Sequence, residues 1–95
     1  MPPVEIYTTR FRPYCSAAKS LLRRKGVAYK EIDLGDDWAQ RDEMIKRANG
    51  RMTVPQIFIG PVHVGGSDDL HALDRAGKLD ALLAGQNLSS GGASA

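Results

Sequence analysis

The only thiol of this 95-residue chain is Cys15, the last residue of the segment Arg12-Pro13-Tyr14-Cys15. Two cysteines at this spacing at the start of a helix form a redox pair: the first thiolate attacks a disulfide and the second resolves the mixed disulfide. Here the first position holds Arg12, whose guanidinium is no nucleophile and is much larger than a thiol. The segment therefore has the spacing of thiol chemistry without its attacking group.

The single cysteine also limits the chemistry in a second way. Cys15 cannot form an internal disulfide, and this favours a reducing compartment and a cytoplasmic protein. A cysteine without a partner is equally compatible with a small apolar residue of the core. Both interpretations of Cys15 stay open at this point.

Composition describes one globular domain with a nearly balanced charge. Hydrophobic residues make up 42% of the chain, and 13 basic residues against 11 acidic ones give a net charge of +2. This balance predicts no nucleic-acid partner, and the absence of a long apolar run predicts no membrane span or signal peptide. We expect a monomer with a folded domain at residues 1–85 and a disordered tail at 86–95, which is rich in glycine and serine.

Strand and helix patterns alternate along the domain and would position the Arg12–Cys15 segment at the start of the first helix. Strands are predicted at residues 4–8, 27–33, 53–59 and 62–64, and helices at 13–26, 38–48 and 67–83, the last with a kink at Gly77. The order β-α-β-α-β-β-α predicts an α/β domain with a four-stranded mixed sheet and three or more flanking helices. A crossover makes the first two strands parallel, and the last two form a hairpin.

This order is that of the thioredoxin-like fold, and three motifs resemble bacterial glutaredoxins of the dithiol type. Residues 7–19 resemble the active-site turn of these proteins. Thr53-Val54-Pro55-Gln56 resembles their cis-proline segment, and Gly65-Gly66-Ser67-Asp68-Asp69-Leu70 resembles their glycine-glycine-x-aspartate-aspartate signature. The resemblance extends over residues 4–83, nearly the whole predicted domain.

The resemblance implies a role for each position of the active-site turn. Arg12 occupies the place of the nucleophilic cysteine, Cys15 is at the resolving position, and Tyr14 borders a groove for glutathione. Each has an ordinary alternative: a surface aromatic for Tyr14 and a solvated charge for an exposed arginine. Natural divergence, deliberate replacement and a sequence error are open explanations of Arg12.

The other two motifs imply the rest of a glutathione site. Backbone groups of Val54, in the segment Thr53-Val54-Pro55, would bond the cysteinyl part of glutathione as a short β-bridge. Ser67 is predicted to cap the third helix, whose N–H groups would hold the γ-glutamyl carboxylate while Asp68 or Asp69 takes the ammonium group. For the glycyl carboxylate the candidates by family position are Gln56, Arg41 and Arg10.

The function implied is that of a glutathione-dependent oxidoreductase that reduces disulfides and glutathionylated proteins. Because Arg12 replaces the nucleophile, we expect impaired activity, and the alternative is a non-catalytic module that binds glutathione or a peptide. No metal is expected, since His63 and His71 fall on different predicted elements. An iron–sulfur cluster held through the first cysteine of the turn is likewise not expected.

Overall fold

Four helices flank a four-stranded sheet in the computed structural model, which describes residues 2–85. In chain order the elements are β1 (Val4–Thr8), α1 (Pro13–Arg24), β2 (Lys30–Asp33), α2 (Trp38–Arg47), β3 (Gln56–Ile59), β4 (Val62–Gly65), α3 (Ser67–Arg75) and α4 (Leu79–Leu83). The tail predicted to be disordered, residues 86–95, lies outside the described residues.

The sheet has the strand order β2-β1-β3-β4. β1 runs parallel to β2 and antiparallel to β3, and β3 and β4 form an antiparallel hairpin. The predicted parallel first pair and the terminal hairpin are therefore confirmed. The mixed sheet with helices around it is the thioredoxin-like α/β fold expected from the element order.

The core lies on both faces of the sheet because successive side chains of a strand point in opposite directions. Ile6 of β1 is fully buried in a cluster with α1, α3 and α4, which contribute Leu22, Leu70 and Leu79. Its neighbour Tyr7 packs on the other face, in a second cluster. Burying an aliphatic side chain such as that of Ile6 stabilises the fold by about 1.5–3 kcal/mol.

The second face is covered by α2. Met44 of that helix packs with Tyr7 and Phe58, and the Arg47 guanidinium lies 4.1 Å from the centre of the Phe58 ring. Arg47 also donates hydrogen bonds to the Tyr7 hydroxyl at 2.9 Å and to a Glu5 carboxylate oxygen at 2.8 Å. These contacts hold α2 against the middle of the sheet.

Several predicted element ends are wrong. β2 begins at Lys30 and not at Val27, because the Val27 N–H donates to the Leu22 carbonyl at the end of α1. β3 begins at Gln56, the first residue that pairs with β1. The single kinked helix predicted for residues 67–83 is two helices, since Gly77 has a φ of +73° between α3 and α4.

The helices of residues 2–85 fall short of the length and apolar character that crossing a bilayer requires.

Candidate functional site

Sheet register brings three separate segments to one edge of the sheet. Tyr7 near the end of β1 pairs with Gln56 at the start of β3, and Ile57 pairs with Gly65 at the end of β4. The chain that leaves β1, the chain that enters β3 and the chain that leaves β4 therefore meet there. These are the segments that hold the three motifs of the sequence.

The first segment turns sharply from β1 into α1. Phe11 has a φ of +59°, a left-handed conformation that is rare for a bulky residue. Arg12 is the N-cap of α1, and its carbonyl oxygen accepts the N–H groups of Cys15 and Ser16 at 3.0 and 3.2 Å. Pro13 is the first helical residue, as predicted, and suits that position because it has no N–H to leave unpaired.

Cys15 is one turn into α1 and is 2% exposed. It does not line the groove described below; instead it borders a cavity of 240 Å³ behind the turn, with Thr8, Ser16 and Glu31 among its neighbours. A buried thiol is a poor nucleophile because the attacking sulfur must reach its substrate. The Cys15 thiol is thus enclosed by the fold and does not line the groove.

A groove of about 420 Å³ lies between the three segments, within the usual size range of small-molecule sites. It is lined by Arg12, Tyr14, Arg51, Met52, Thr53, Val54, Pro55, Gly66, Ser67, Asp68 and Asp69. Seven of the ten residues proposed from the sequence for glutathione binding are in this set. The Val54–Pro55 peptide bond is cis, as the resemblance implies.

The start of α3 differs from the prediction at its cap. Gly66 is the N-cap, and Ser67, predicted to cap the helix, is its first helical residue and is buried. The reason is that the backbone of Gly66 is still extended, with φ of −90° and ψ of −168°, while Ser67 is already helical. The Asp69 carboxylate accepts the Gly66 N–H at 2.9 Å, as the third helical residue does in a capping box. The first intrahelical bond runs from the Leu70 N–H to the Gly66 carbonyl. The N–H groups of Ser67, Asp68 and Asp69 therefore have no backbone acceptor within the helix.

Arg51 is a groove residue that the sequence reasoning missed. Its guanidinium Nη1 lies 3.1 Å from Asp69 Oδ2, so the loop before β3 is bonded to the start of α3 across the groove. In the sequence, the indication that Arg51 belongs to the site is its position two residues before Thr53, next to the cis-proline motif. The Gly66 N–H, and after it the hydrogen bond from Arg51, holds the pKa of Asp69 below its ordinary value of 3.8.

The lowered pKa of Asp69 predicts a pH-dependent contribution to stability. A carboxyl group with a lower pKa in the folded state stabilises the fold above its unfolded-state value, and this contribution is lost as the pH falls through the folded-state value. We expect Asp69→Asn to be less stable than the parent at neutral pH, with a difference that shrinks below about pH 4. Urea unfolding of both proteins at several pH values measures this. A difference that stays constant down to about pH 3 would contradict the assignment.

Gln56 is fully buried and lies behind the groove, outside the set that lines it. Its Nε2 donates to the Thr53 carbonyl at 3.0 Å and to Thr53 Oγ1 at 3.2 Å. Since the amide nitrogen is used in this way, Oε1 accepts from His63 Nε2 at 2.7 Å. Burial lowers the pKa of His63. The ligand contact of Gln56 stays a prediction, and in this structure its side chain supports the cis-proline segment from inside the fold.

Arg10 and Arg41 also lie outside the residues that line the groove. The Arg10 side chain is 80% exposed and points to the other side of the turn, where Nε lies 3.9 Å from Asp33 Oδ2. Arg41 is in the first half of α2, the helix that covers the opposite face of the sheet. Both arginines were candidates by family position for the glycyl carboxylate. The structure places them outside the groove lining, and their contact with a ligand stays a prediction.

No group of three or more histidine, cysteine, aspartate or glutamate side chains gathers anywhere in residues 2–85 in a way that could hold a metal ion. His63 is in β4 and His71 is in α3, where His71 Nδ1 lies 2.8 Å from the carbonyl oxygen of Ser67. The two rings take part in separate local contacts.

Comparisons with known proteins agree with the fold and the motifs. The family model described as Glutaredoxin matches residues 4–64. A glutaredoxin of Pseudomonas aeruginosa is 61% identical over 83 residues, which cover 87% of this chain and 98% of the relative.

Two solved structures are similar over the same region. The solution structure of a glutaredoxin from Brucella melitensis has a TM-score of 0.77 and 57% identity, and the match covers 87% of this chain and 89% of that one. The crystal structure of a buckwheat glutaredoxin–glutathione complex has a TM-score of 0.78 and 32% identity, with coverage of 87% and 77%. With the three motifs at one sheet edge and a family match over more than half its length, this chain belongs to the glutaredoxin family.

Proposed function

We propose that this protein binds glutathione in the groove and that its activity as a glutathione-dependent oxidoreductase is impaired by Arg12. The observation that carries the proposal is the convergence of Tyr14, the cis-proline segment and the start of α3 on one groove, without a thiol among the lining residues. The similar buckwheat protein crystallised with glutathione supports the choice of ligand. The parent reaction is the reduction of disulfides and glutathionylated proteins.

The groove offers partners for the cysteinyl and γ-glutamyl parts of the tripeptide. Val54 presents its backbone N–H and carbonyl groups to the cysteinyl residue, as an extended peptide adds to a strand. The free N–H groups at the start of α3 hold the γ-glutamyl carboxylate. Asp68 takes the ammonium group, because it is exposed while Asp69 is already bonded to Gly66 and Arg51.

The missing step is the attack on the disulfide. In the parent reaction a thiolate at position 12 attacks the glutathione sulfur of a mixed disulfide, the protein thiol leaves, and a second glutathione releases the first as oxidised glutathione. An arginine at this position forms no such bond. Cys15 is buried and outside the groove, and its single thiol suits a protein of a reducing compartment.

Binding and turnover are tested separately on this chain. Titration of the isotope-labelled protein with S-methylglutathione, which cannot exchange disulfides, should shift the amide signals of Val54, Ser67 and Asp68 and leave those of Arg24 unmoved. Glutathione-coupled reduction of a small mixed disulfide should stay near the uncatalysed rate. Amide shifts confined to regions outside the groove would contradict the proposed binding site, and rapid turnover would contradict the impairment.

The second candidate is a binding module without any redox role. The burial of Cys15 and its place behind the turn favour it, since the groove then recognises glutathione or an extended peptide with no sulfur to react. The impaired oxidoreductase and the binding module predict different results when position 12 is returned to cysteine. A module whose groove has lost the capacity for exchange would stay inactive when position 12 is returned to cysteine.

A further inference from the structure

Arg12 is the one cation that lines the groove without a carboxylate partner among residues 2–85. The other groove arginine, Arg51, is paired with Asp69 at 3.1 Å. Arg12 is exposed, and within the described part of the chain it forms no ion pair with any acidic side chain. Its five N–H donors are therefore available to a ligand that enters the groove.

The guanidinium of Arg12 is also in an unfavourable electrostatic position when the groove is empty. Arg12 is the N-cap of the 12-residue helix α1, so its charge lies near the positive end of the helix dipole. Both the side chain and the helix end favour a negative group at the same place. A neutral thiol satisfies neither of them.

The proposed position of glutathione in the groove determines where such a negative group would lie. This step depends on the proposed function, because it takes the cysteinyl residue to be bonded to the backbone of Val54. The sulfur of that residue then faces the start of α1, since Arg12, Tyr14 and Val54 line the same groove. In a glutathione whose sulfur is oxidised to a sulfonate, three oxygens carry the negative charge at this point.

We infer that Arg12 makes this groove selective for glutathione sulfonate over glutathione derivatives with a neutral sulfur. The sulfonate oxygens accept hydrogen bonds from the Arg12 guanidinium, and the tripeptide backbone is held as described for glutathione itself. No bond is made or broken, so the selectivity is one of binding alone. One charge-assisted ionic contact of this kind corresponds to a preference of about tenfold or more.

The test compares two ligands on three proteins by calorimetric titration. The parent chain should bind glutathione sulfonate about tenfold more tightly than S-methylglutathione. In Arg12→Gln most of this preference should be lost, and the part that remains is that of the helix end alone. Arg24→Gln removes the same charge from the exposed far end of α1 and should keep the preference of the parent. Thermal unfolding of the variants shows that each is folded.

Three results would overturn the inference, and they are distinguishable. If the unmodified chain bound both ligands with equal affinity, the inferred selectivity would be wrong, while the proposed glutathione site would stand. If the unmodified chain bound neither ligand, the selectivity and the proposed binding of glutathione would both be wrong. Displacement of glutathione sulfonate by an equal concentration of inorganic sulfate would indicate a general anion site that does not recognise the tripeptide.

Discussion

Replacing Arg12 by cysteine is expected to raise the rate of glutathione-coupled reduction of a small mixed disulfide by on the order of a hundredfold or more. The new sulfur would be at the N-cap of α1, where the helix dipole and the free N–H groups favour the thiolate. It would also line the groove in which the proposed glutathione binds. The measurement is the coupled assay on the parent and on Arg12→Cys under identical conditions.

Two control variants identify the sulfur that reacts. Arg12→Ser removes the guanidinium without supplying a thiol and should stay inactive, which separates the gain of a nucleophile from the loss of an obstruction. Arg12→Cys combined with Cys15→Ser should retain the reduction of glutathionylated substrates, because glutathione itself can release the mixed disulfide. Equally rapid turnover by the unmodified chain and by Arg12→Cys would contradict the assignment and place the chemistry on Cys15. Inactivity of a folded Arg12→Cys would favour the non-catalytic module.

Gly65→Ala is expected to lower both the stability of the fold and its affinity for S-methylglutathione. Gly65 has a φ of +113°, which costs an alanine about 1–2 kcal/mol. Its new Cβ would overlap the Asp69 carboxylate and lie 2.8 Å from Arg51 Nη1. Displacing Asp69 breaks its bonds to Gly66 and Arg51, so the unfolding free energy should fall by about 2–4 kcal/mol in total. Affinity should fall about tenfold as the start of α3 is disturbed.

Gly77→Ala is a matched control for this effect. Gly77 also has a positive φ, +73°, but a Cβ there would meet no atom within 4 Å, and the residue is remote from the groove. We expect a loss of only about 1–2 kcal/mol in urea unfolding and an unchanged ligand affinity. The difference in unfolding free energy between the two variants measures the contribution of the hydrogen bonds that Asp69 makes with Gly66 and Arg51. An equal loss in both, with equal affinities, would show that Asp69 can move aside without cost.

Local patterns were sufficient for the element order and for the motifs. Apolar periodicity predicts β1, α1 and α2 close to their observed ranges because one face of each packs on the core. Asp37 is a residue type that caps helices, and it caps α2: its carboxylate accepts the Gln40 N–H three residues later at 3.0 Å. The strand ends were less well predicted because pairing with a neighbouring strand, and not composition, sets them. Val27 and Thr53 have strand-like neighbours but no partner in the ladder.

For the three proposed residues that do not line the groove, the sequence did not show where their side chains lie. Gln56 is the last residue of the cis-proline segment, yet its place in β3 turns it toward His63 and the interior. Arg10 lies within the active-site turn but faces Asp33, and Arg41 is on the helix that covers the other face of the sheet. Arg51 belongs to none of the three motifs. It lies in the site because the fold places it next to Asp69, with which it forms an ion pair.

The sequence by itself determined the family motifs, the order of the elements and the loss of the first thiol, because each is a property of neighbouring residues. Only the tertiary structure decided that Cys15 lies behind the turn while Arg12 faces the groove. It also decided that residues near positions 12, 54 and 68 share one site. The physical reason is the register of β1, β3 and β4: pairing of Tyr7 with Gln56 and of Ile57 with Gly65 brings distant segments to one sheet edge.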